Sequence, residues 1–380
     1  MLIVCTQSSS IAIVKRPSIF YGLYICHGIE RKMNFYRTQQ YVQDVPQHIS
    51  AIIGADIGGT NSNIGVFQIV GKEPRLLFSL HYKSQEVTDF TALFTHVFAH
   101  IKDTYNITVE RMCVAAAGAV SQDKMFVRPT NLFVTIDLRD VIAQTGVRSA
   151  LLVNDFEVIG YGLQSLTSKD LVQVNPGAVA REGACKAIIG AGTGLGKCIL
   201  YFDTHTKRYM PLVSEGGHAD FAAQTEQDFR LIQYTRRSER YACNISWENV
   251  LSGNGIARIY TFFKHQEHDN SNGIHPHPDE IFNRRGESVL SQKTFEYYTR
   301  LYARCAKNWA LDALAFGGIF IAGGIAAKNL PMFQLPVFME EFSNCGKQQE
   351  LLSTIPIWVI ADYNVSLYGA AWCVLLEHDC

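Results

Sequence analysis

Short blocks of hydrophobic residues, separated by glycine-rich turns, organise the first half of the chain. Residues 52–56 form an apolar run, residues 57–61 a turn, and residues 64–70 a second apolar run. Apolar and β-branched runs bounded by glycine indicate strands, and a tight turn between two of them indicates a hairpin. The pattern then predicts a strand over residues 76–82, an amphipathic helix over about residues 88–103 and a strand over residues 112–117. This order of elements is typical of an α/β lobe.

The same hairpin pattern returns in the second half. Residues 187–190 predict a strand, residues 191–196 a glycine-rich turn and residues 197–202 a second strand. A strand, a glycine turn and a strand in each half indicate a diverged internal duplication. Helical patterns predominate after residue 225, until the apolar run at residues 319–325 predicts one more strand that ends in glycines.

The apolar window over residues 310–327 raises the question of a membrane span. It contains Asp312 and four glycines, and its length is near the minimum of about 17 residues that a spanning helix needs. A helix followed by a buried strand is therefore the preferred interpretation.

Composition places the chain among ordinary globular proteins. The 380 residues are 47% hydrophobic and 18% charged, which allows two domains with a substantial core. The net charge of -1 argues against nucleic acid or an anionic membrane as the main partner, because both bind clustered Lys and Arg.

Cysteine and histidine spacing predicts neither a disulfide nor a metal site. The ten cysteines form no CxxC pair and no zinc-spaced array, so we expect free thiols in a reducing cytoplasm. Four histidines lie in a polar segment with Pro and Asn, which favours a solvated loop over a metal site. They are His265, His268, His275 and His277.

Residues 1–50 do not continue the pattern. Their first apolar run lacks a basic flank and a small-residue cleavage site, so no signal peptide is predicted. Met33 offers a second start, and we expect residues 1–32 to be an upstream extension or a mis-assigned start. Residues 1–50 as a whole are expected to lie outside the folded lobes.

The segment at residues 151–156, Leu-Leu-Val-Asn-Asp-Phe, predicts a buried strand that ends in two polar residues. A carboxylate at such a strand end is rigid and partly desolvated, so it can accept a proton from a substrate hydroxyl. Asp155 is therefore the candidate catalytic base. The alternative is that Asn154 and Asp155 only cap the helix that begins near Glu157.

The two glycine turns give the strongest chemical signal. Without Cβ atoms, their backbone can approach a polyphosphate and direct N–H groups at its oxygens, while Thr60 and Thr193 add hydroxyl donors. Asp56, directly before the first turn, is placed to meet a nucleotide-bound magnesium ion through one of its water ligands. The alternative is a pair of purely structural turns.

Two common nucleotide motifs do not fit the second turn. In GxxxxGK[ST], Ala191 would stand at the first glycine and Cys198 at the Ser or Thr, and in GxGxxG, Leu195 would stand at the last glycine. Both motifs also open a helix, whereas residues 198–202 are rich in strand formers. We therefore predict a hairpin-type nucleotide site.

Carboxylates and a histidine follow the second hairpin. Glu215 and His218 flank two glycines, and a carboxylate beside an imidazole can bind vicinal sugar hydroxyls, each of which donates and accepts. The pattern alone also fits a metal site or an acid–base pair. Glu248 is a weaker candidate, since an exposed helical glutamate is the ordinary alternative.

Six motifs in this order resemble those of the bacterial glucokinase family, in the hexokinase/actin/Hsp70-like superfamily. They are GADIGGTNSN, LLVNDF, IGAGTGLGK, SEGGHADFA, ENVLSGNGI and GGIFIAGGI, and the resemblance extends from about residue 52 to about residue 376. It implies a two-lobed RNase H-like α/β fold with the active site in the cleft between the lobes. It also implies a cytoplasmic enzyme that transfers the γ-phosphate of ATP, with Mg2+, to the 6-hydroxyl of glucose, the first step of glycolysis.

The resemblance also implies roles for individual residues. Asp155 is implied as the base for the 6-hydroxyl, and Asn154, Glu215, His218 and Glu248 as ligands of the other hydroxyls. The remaining residues are implied to contact the nucleotide: Ala55, Asp56, Ile57, Gly58, Gly59, Thr60 and Asn61 in the first turn, Gly190, Ala191, Gly192, Thr193 and Gly194 in the second, and Gly323 and Gly324 at the adenosine.

Domain bounds and a homodimer also follow from the resemblance. The small lobe is expected at residues 51–165, completed by residues 366–380, and the large lobe at residues 166–365. Related ROK kinases carry a Cys-rich zinc segment after their GGH motif. Only Cys243 lies in that region here, so no structural zinc is expected.

Two departures from the family pattern concern the lobe that faces the sugar. The family has a Pro in the segment that matches residues 117–120 and a Trp near Val134, and this chain has neither. Both positions therefore bear on hexose preference.

Three alternatives stay open. A kinase of mannose, fructose or an amino sugar would use the same residues. A non-catalytic sugar sensor would be expected to lack catalytic residues, and residues 1–50 show no helix-turn-helix pattern. An actin- or Hsp70-like ATPase would share the hairpins but would have no use for the Glu-Gly-Gly-His site.

Overall fold

The structure is a computed structural model that describes residue 35 and residues 37–238, 243–267 and 276–376. Residues 1–32, expected to be an extension, lie outside the described residues. So do His268 and His275 of the histidine segment.

Strands and helices alternate along the described residues. The strands are β1 (Arg37–Gln40), β2 (Ser50–Ile57), β3 (Asn61–Val70), β4 (Glu73–Lys83), β5 (Thr108–Ala116), β6 (Phe126–Val127), β7 (Ile136–Asp137), β8 (Ser149–Asn154), β9 (Leu171–Gln173), β10 (Lys186–Ala191), β11 (Leu195–Asp203), β12 (Arg208–Ser214), β13 (Gly318–Ala322) and β14 (Ile357–Ile360). The α-helices are α1 (Phe90–Tyr105), α2 (Leu138–Thr145), α3 (Asp155–Gly162), α4 (Glu226–Ser238), α5 (Trp247–Val250), α6 (Gly253–Gln266), α7 (Pro278–Asn283), α8 (Val289–Asp312), α9 (Gly324–Lys328), α10 (Pro336–Ser343), α11 (Gln349–Ser353) and α12 (Val365–Leu376).

Two six-stranded sheets contain the same five-strand arrangement. The first sheet has the order β1-β4-β3-β2-β5-β8 and the second has the order β12-β11-β10-β13-β14-β9. In both, two consecutive antiparallel hairpins are followed by two strands that run parallel to the first hairpin strand. The shared arrangement agrees with the predicted internal duplication.

The apolar runs in the sequence correspond to strands at the centre of each sheet. Residues 51–55 of β2 and all five residues of β13 are buried. Strands covered on both faces are expected to show continuous rather than alternating hydrophobicity. The predicted hairpins are confirmed as β2–β3 and β10–β11, and the predicted helix at residues 88–103 is confirmed as α1, which Asp89 caps.

The apolar window at residues 310–327 is a helix end followed by a strand, as predicted. Helix α8 ends at Asp312 and β13 begins at Gly318. Within the described residues, no helix combines the length and the apolar character that crossing a membrane requires.

The first sheet begins earlier than the predicted bound at residue 51. Strand β1 pairs antiparallel with β4, with Arg37 opposite His81 and Gln40 opposite Phe78. This pairing adds residues 37–50 to the first lobe. The sequence did not reveal β1, because an edge strand pairs through backbone groups and needs no apolar run. We propose that the first lobe comprises residues 37–165 and 365–376, and the second lobe residues 166–364.

Helices α3 and α12 pack between the two sheets. Helix α12 contacts β2 and β5, α3 contacts β11 and β12, and the two helices contact each other. Their approach depends on glycine: a Cβ at Gly369 would lie 1.8 Å from the Val158 carbonyl oxygen, and one at Gly162 would lie 2.1 Å from that of Val365. The connection thus holds the two lobes side by side below a cleft.

Candidate active site

A cleft of about 720 Å³ opens between the lobes. The β2–β3 hairpin, the β10–β11 hairpin and the first residues of α3 border it, together with residues that follow β13 and β14. The carboxyl ends of parallel strands meet at one edge of a sheet, which is where open α/β sheets bind ligands. The volume lies within the range of about 300–1,000 Å³ found for small-molecule sites.

Asp155 is the first residue of α3, directly after β8, and it borders the cleft. Burial raises the pKa of its carboxyl to about 7, and the negative charge of Asp56, followed by that of Glu215, adds to the rise. Hydrogen bonds from the backbone N–H groups of Asp155 and Phe156 oppose this shift without cancelling it. A carboxyl with a pKa near the working pH is suited to exchange a proton with a substrate hydroxyl.

Asn154 caps α3, so the capping interpretation is correct for this residue. Its Oδ1 accepts from the backbone N–H of Phe156 at 2.9 Å and from that of Glu157 at 3.4 Å. The Glu157 carboxylate in turn accepts from the Asn154 N–H at 3.4 Å, which completes a capping box. Asn154 also borders the cleft, where its amide NH2 is the end that can donate to a ligand.

Glu215, His218 and Glu248 come together on the second-lobe side of the cleft. His218 Nε2 lies 3.8 Å from Glu215 Oε2, and His218 Nδ1 lies 3.9 Å from Glu248 Oε1. Glu248 Oε2 accepts from the Leu195 N–H at 2.9 Å, and its side chain is only 32% exposed. Glu248 is therefore held against the second glycine turn and is not an ordinary exposed helical glutamate.

Glycines allow the second turn and the Glu215–His218 loop to pack closely. A Cβ at Gly194 would lie 2.5 Å from Glu248 Oε2, and a Cβ at Gly217 would lie 1.8 Å from the Leu195 carbonyl oxygen. The turn is closed by the Gly192 N–H, which donates to the Gly194 carbonyl at 2.8 Å. All five predicted residues of the second turn border the cleft, as do Gly323 and Gly324.

Asp56 lies in β2, directly before the first turn. Its partly buried carboxyl accepts a hydrogen bond from Ser366 Oγ at 2.6 Å. Burial raises the pKa of Asp56, and the Ser366 hydrogen bond partly opposes the rise. Gly58 and Gly59 also border the cleft.

Four other members of the predicted first phosphate motif do not border the cleft. The side chains of Ala55 and Ile57 are buried in the sheet, because alternate residues of β2 project to its opposite faces. Asn61 Oδ1 accepts from Lys83 Nζ at 2.9 Å, and the Thr60 carbonyl accepts from the Ser84 N–H. Asp56, Gly58 and Gly59 are therefore the members of this motif that border the cleft, and the nucleotide contacts of the motif stay a prediction.

Several cleft residues were not predicted. Asp362 follows β14 as Asp155 follows β8, and burial raises its pKa; the same strand-end reasoning could have found it. Ser366 and Asn63 gave no sequence signal, since a serine in an apolar helix and an asparagine in a strand are ordinary. The other unpredicted polar residues at the cleft are Thr130, Asn131, Ser214 and Tyr363.

The donor chemistry of the cleft fits magnesium better than a tightly ligated transition metal. Within the described part of the chain, no group of three or more His, Cys, Asp and Glu side chains is arranged to hold a metal ion. Asp56 offers carboxylate oxygens beside a glycine turn, and magnesium is usually held by one or two carboxylates together with substrate phosphates.

Known proteins are similar in sequence to this chain over most of its length. The family described as Glucokinase matches residues 53–377. The glucokinase of Synechocystis sp. is 33% identical over 350 residues, which covers 84% of this chain and 97% of that protein. The glucokinase of Nostoc punctiforme is 32% identical over 346 residues, which covers 86% and 99%.

Solved structures share the fold. The crystal structure of a glucokinase from an Antarctic psychrotroph is 26% identical with a TM-score of 0.71, covering 87% of this chain and 99% of that chain. The Balamuthia mandrillaris glucokinase in complex with glucose is 19% identical with a TM-score of 0.73, covering 86% and 93%. A ROK family glucokinase from Streptomyces griseus, in complex with glucose and AMPPNP, is 17% identical with a TM-score of 0.58, covering 85% and 99%.

These likenesses confirm the predicted two-lobed RNase H-like, or actin-like ATPase, fold. The family matches residues 53–377. The two hairpins, Asp155 and the Glu215–His218–Glu248 group border one cleft. The chain therefore belongs to the glucokinase family.

Proposed function

We propose that this chain is an ATP-dependent glucokinase, which transfers the γ-phosphate of ATP to the 6-hydroxyl of glucose and releases glucose 6-phosphate. One observation supports the proposal: Asp155, residues of both glycine hairpins, and Glu215, His218 and Glu248 border one cleft. A nucleotide site and a polyol site thus share one candidate base.

The acceptor sugar is assigned from the polar group of the second lobe. The His218 imidazole lies within 3.9 Å of a carboxylate oxygen of Glu215 and of one of Glu248, which suits adjacent hydroxyls that both donate and accept. The amide NH2 of Asn154 adds a donor beside Asp155. The Balamuthia mandrillaris and Streptomyces griseus structures were both solved with glucose, which supports glucose as the acceptor here.

Asp155 is proposed to accept the proton of the 6-hydroxyl as that oxygen attacks the γ-phosphorus. The bond from the γ-phosphorus to the bridging oxygen of ATP breaks, ADP leaves, and the proton remains on Asp155 until solvent removes it. A carboxyl whose pKa lies near 7 is ionised in a large fraction of molecules at neutral pH and still basic enough to take the proton.

The hairpins are proposed to hold the phosphates of ATP through backbone N–H groups of the two glycine turns. The N–H groups of Gly58 and Gly192 are not among them, because they close the turns by donating to the carbonyls of Asn61 and Gly194. Asp56 would hold a nucleotide-bound magnesium ion through water, and Gly323 and Gly324 would lie at the adenosine. Magnesium supplies positive charge to the phosphates when bound with the nucleotide. The protein's own part is positioning, which can contribute on the order of 7–11 kcal/mol.

Closure of the two lobes is proposed to exclude water from the reacting atoms. Helices α3 and α12 pack between the sheets, so a small rotation there would bring the β2–β3 hairpin towards the sugar residues of the second lobe. Such closure prevents water from replacing the sugar as acceptor.

Cytoplasmic location, a role in glycolysis and a homodimer are proposed on the ground of family membership. Light scattering after size-exclusion chromatography measures the dimer directly. A mass corresponding to 42.5 kDa at micromolar concentration would contradict it.

A second candidate function is a kinase of another hexose. Ala117, Gly118 and Ala119 border the cleft in the segment where the family's Pro is missing. The absence of this Pro would alter the shape of the sugar pocket, while the phosphoryl transfer would use the same residues.

ADP release from magnesium-ATP tests both functions, with glucose, mannose, fructose, glucosamine and N-acetylglucosamine supplied separately and a control without sugar. Strong release with glucose supports a glucokinase. Preference for another sugar supports the second function, and release without sugar, or none with any sugar, contradicts both.

A further inference from the structure

A row of polar side chains crosses the first sheet on one face. In the strand registers, Arg37 of β1 is opposite His81 of β4, His81 is opposite Asn63 of β3, and Asn63 is opposite Asp56 of β2. Residues directly opposite each other on neighbouring strands project from the same face and are close enough to interact. The row therefore extends from Arg37, at the edge of the sheet, to the Asp56 carboxyl at the cleft.

Hydrogen bonds connect the middle of this row to the N-terminal segment. His81 Nδ1 lies 2.7 Å from Asn63 Oδ1, and His81 Nε2 lies 2.8 Å from Ser79 Oγ. Tyr41 OH lies 3.3 Å from Ser79 Oγ and 3.1 Å from Asn364 Oδ1, and its one hydrogen is donated to only one of them at a time. When Tyr41 donates to Ser79, it joins the chain of hydrogen bonds that Asn63, His81 and Ser79 form.

The chemistry of these groups defines the direction of the bonds around His81. An amide oxygen can only accept, so Nδ1 of His81 carries the hydrogen, and Nε2 of the neutral ring accepts from the Ser79 hydroxyl. Burial, and then the positive charge of Arg37, lower the pKa of His81, which favours this neutral ring. The ring therefore holds the Asn63 amide in one orientation.

Asn63 borders the cleft beside Asp56. Since His81 engages the amide oxygen, the amide NH2 is the end that can donate to a ligand. An N–H donor next to a carboxylate and a glycine turn suits a phosphate oxygen, or a water bound to a phosphate-held cation.

This inference rests on the proposed function. We propose that Asn63 binds the phosphate end of the nucleotide, and that His81 is the positioning residue that orients its amide. Ser79 supports His81 in turn, and Tyr41 lies within hydrogen-bond distance of both Ser79 and Asn364, which directly precedes α12. Arg37 and Tyr41 precede residues 53–377, the part of the chain that the family matches. The segment that contains them therefore contributes to the proposed positioning of Asn63.

Steady-state kinetics test the proposal by separating the KM for magnesium-ATP from the KM for the sugar. Asn63→Ala is expected to raise the KM for magnesium-ATP about tenfold or more, because it removes one hydrogen bond to a charged group. The KM for the sugar is expected to stay within about twofold, since Glu215, His218 and Glu248 lie on the other lobe.

His81→Phe keeps a ring and removes both nitrogens. It is expected to raise the KM for magnesium-ATP in the same direction, and the Asn63→Ala/His81→Phe double variant is expected to be no worse than Asn63→Ala alone, because the two residues act as one unit. His81→Gln, which restores an amide donor, is expected to recover part of the loss. His100→Phe is the matched control: its half-buried ring belongs to α1 and lies 4.9 Å from the ring of Phe35.

An unchanged KM for magnesium-ATP in Asn63→Ala, or effects that multiply in the double variant, would overturn the proposal. If circular dichroism shows that Asn63→Ala is unfolded, Asn63→Ser takes its place with the same expectation. A wild-type chain that prefers another sugar overturns only the glucose assignment, because the KM for magnesium-ATP is then measured with that sugar. A wild-type chain without phosphoryl transfer overturns the proposed function and this inference together.

Discussion

Ser366 donates a hydrogen bond of 2.6 Å to Asp56, although 310 residues separate them in the chain. Ser366 belongs to the first turn of α12, the helix with which the chain returns from the second sheet to the first. Helix α12 therefore contributes to the proposed first phosphate site, and the Ser366 hydrogen bond lowers the pKa of Asp56, which burial raises.

Ser366→Ala is expected to weaken the response to magnesium. Without this hydrogen bond the Asp56 carboxylate loses the donor that orients it and favours its charged form. We expect about a tenfold increase in the magnesium concentration that gives half-maximal activity. Ser343→Ala, at the end of α10, is the control, and an unchanged magnesium requirement in Ser366→Ala would remove Asp56 from this role.

Asp155→Asn is expected to retain sugar binding and to lose turnover. General base catalysis contributes about 10²–10⁴-fold, so kcat should fall by that factor, while glucose affinity measured by calorimetry changes little. Asp312→Asn, at the end of α8, controls for the loss of a carboxylate elsewhere. Near-normal turnover of Asp155→Asn would contradict the role of base.

The pH dependence of kcat/KM for glucose should show the ionisation of Asp155. Because the pKa of its carboxyl is raised to about 7 and the ionised form is the base, we expect the rate to rise about tenfold per pH unit below pH 7 and to level off above it. The limb should disappear in Asp155→Asn. A limb centred near pH 4 would show that the carboxyl is not perturbed in the free enzyme.

Asp155 should also make the protein less stable as pH rises. Its folded pKa of about 7 exceeds the value of 3.8 of an unperturbed carboxyl, so ionisation favours the unfolded chain. The loss of stability begins near pH 4 and is complete above about pH 7. In urea unfolding, Asp155→Asn should therefore be more stable than the unaltered chain at pH 8 and equally stable near pH 4; equal stability at both values would be the contrary result.

Gly194→Ala is expected to impair the sugar site through Glu248. The new Cβ would lie 2.5 Å from Glu248 Oε2, so the carboxylate must leave the Leu195 N–H and its position beside His218. We expect about a tenfold rise in the KM for glucose, because this variant loses one hydrogen bond between the sugar and a charged group. Gly286→Ala, where the structure leaves open space, is the control, and an unchanged KM for glucose would show that Glu248 does not contact the sugar.

The hairpins and the candidate base could be predicted because their signals are local. Apolar runs that end in glycine, and a carboxylate at the end of a buried strand, are properties of a few consecutive residues. Asp362 shows the same local pattern and was overlooked. The amide oxygen of Asn154 caps α3, and the role of this residue as a sugar ligand stays a prediction.

Strand β1 and the support of Asn63 could not be predicted in this way. The pairing of β1 with β4 uses backbone groups, which every sequence supplies, and the bonds among Tyr41, Ser79 and His81 depend on strand register. Register is a property of two strands together.

The sequence by itself determined the two glycine hairpins, the strand that ends at Asp155 and the acidic loop at Glu215, because backbone conformation and hydrophobic periodicity act over neighbouring residues. Only the tertiary structure decided which side chains of the first motif reach the cleft, that Ser366 meets Asp56, and that Glu248 rests on Leu195. These contacts join residues from distant parts of the chain, and they exist only after burial of the apolar strands has brought both lobes around α3 and α12.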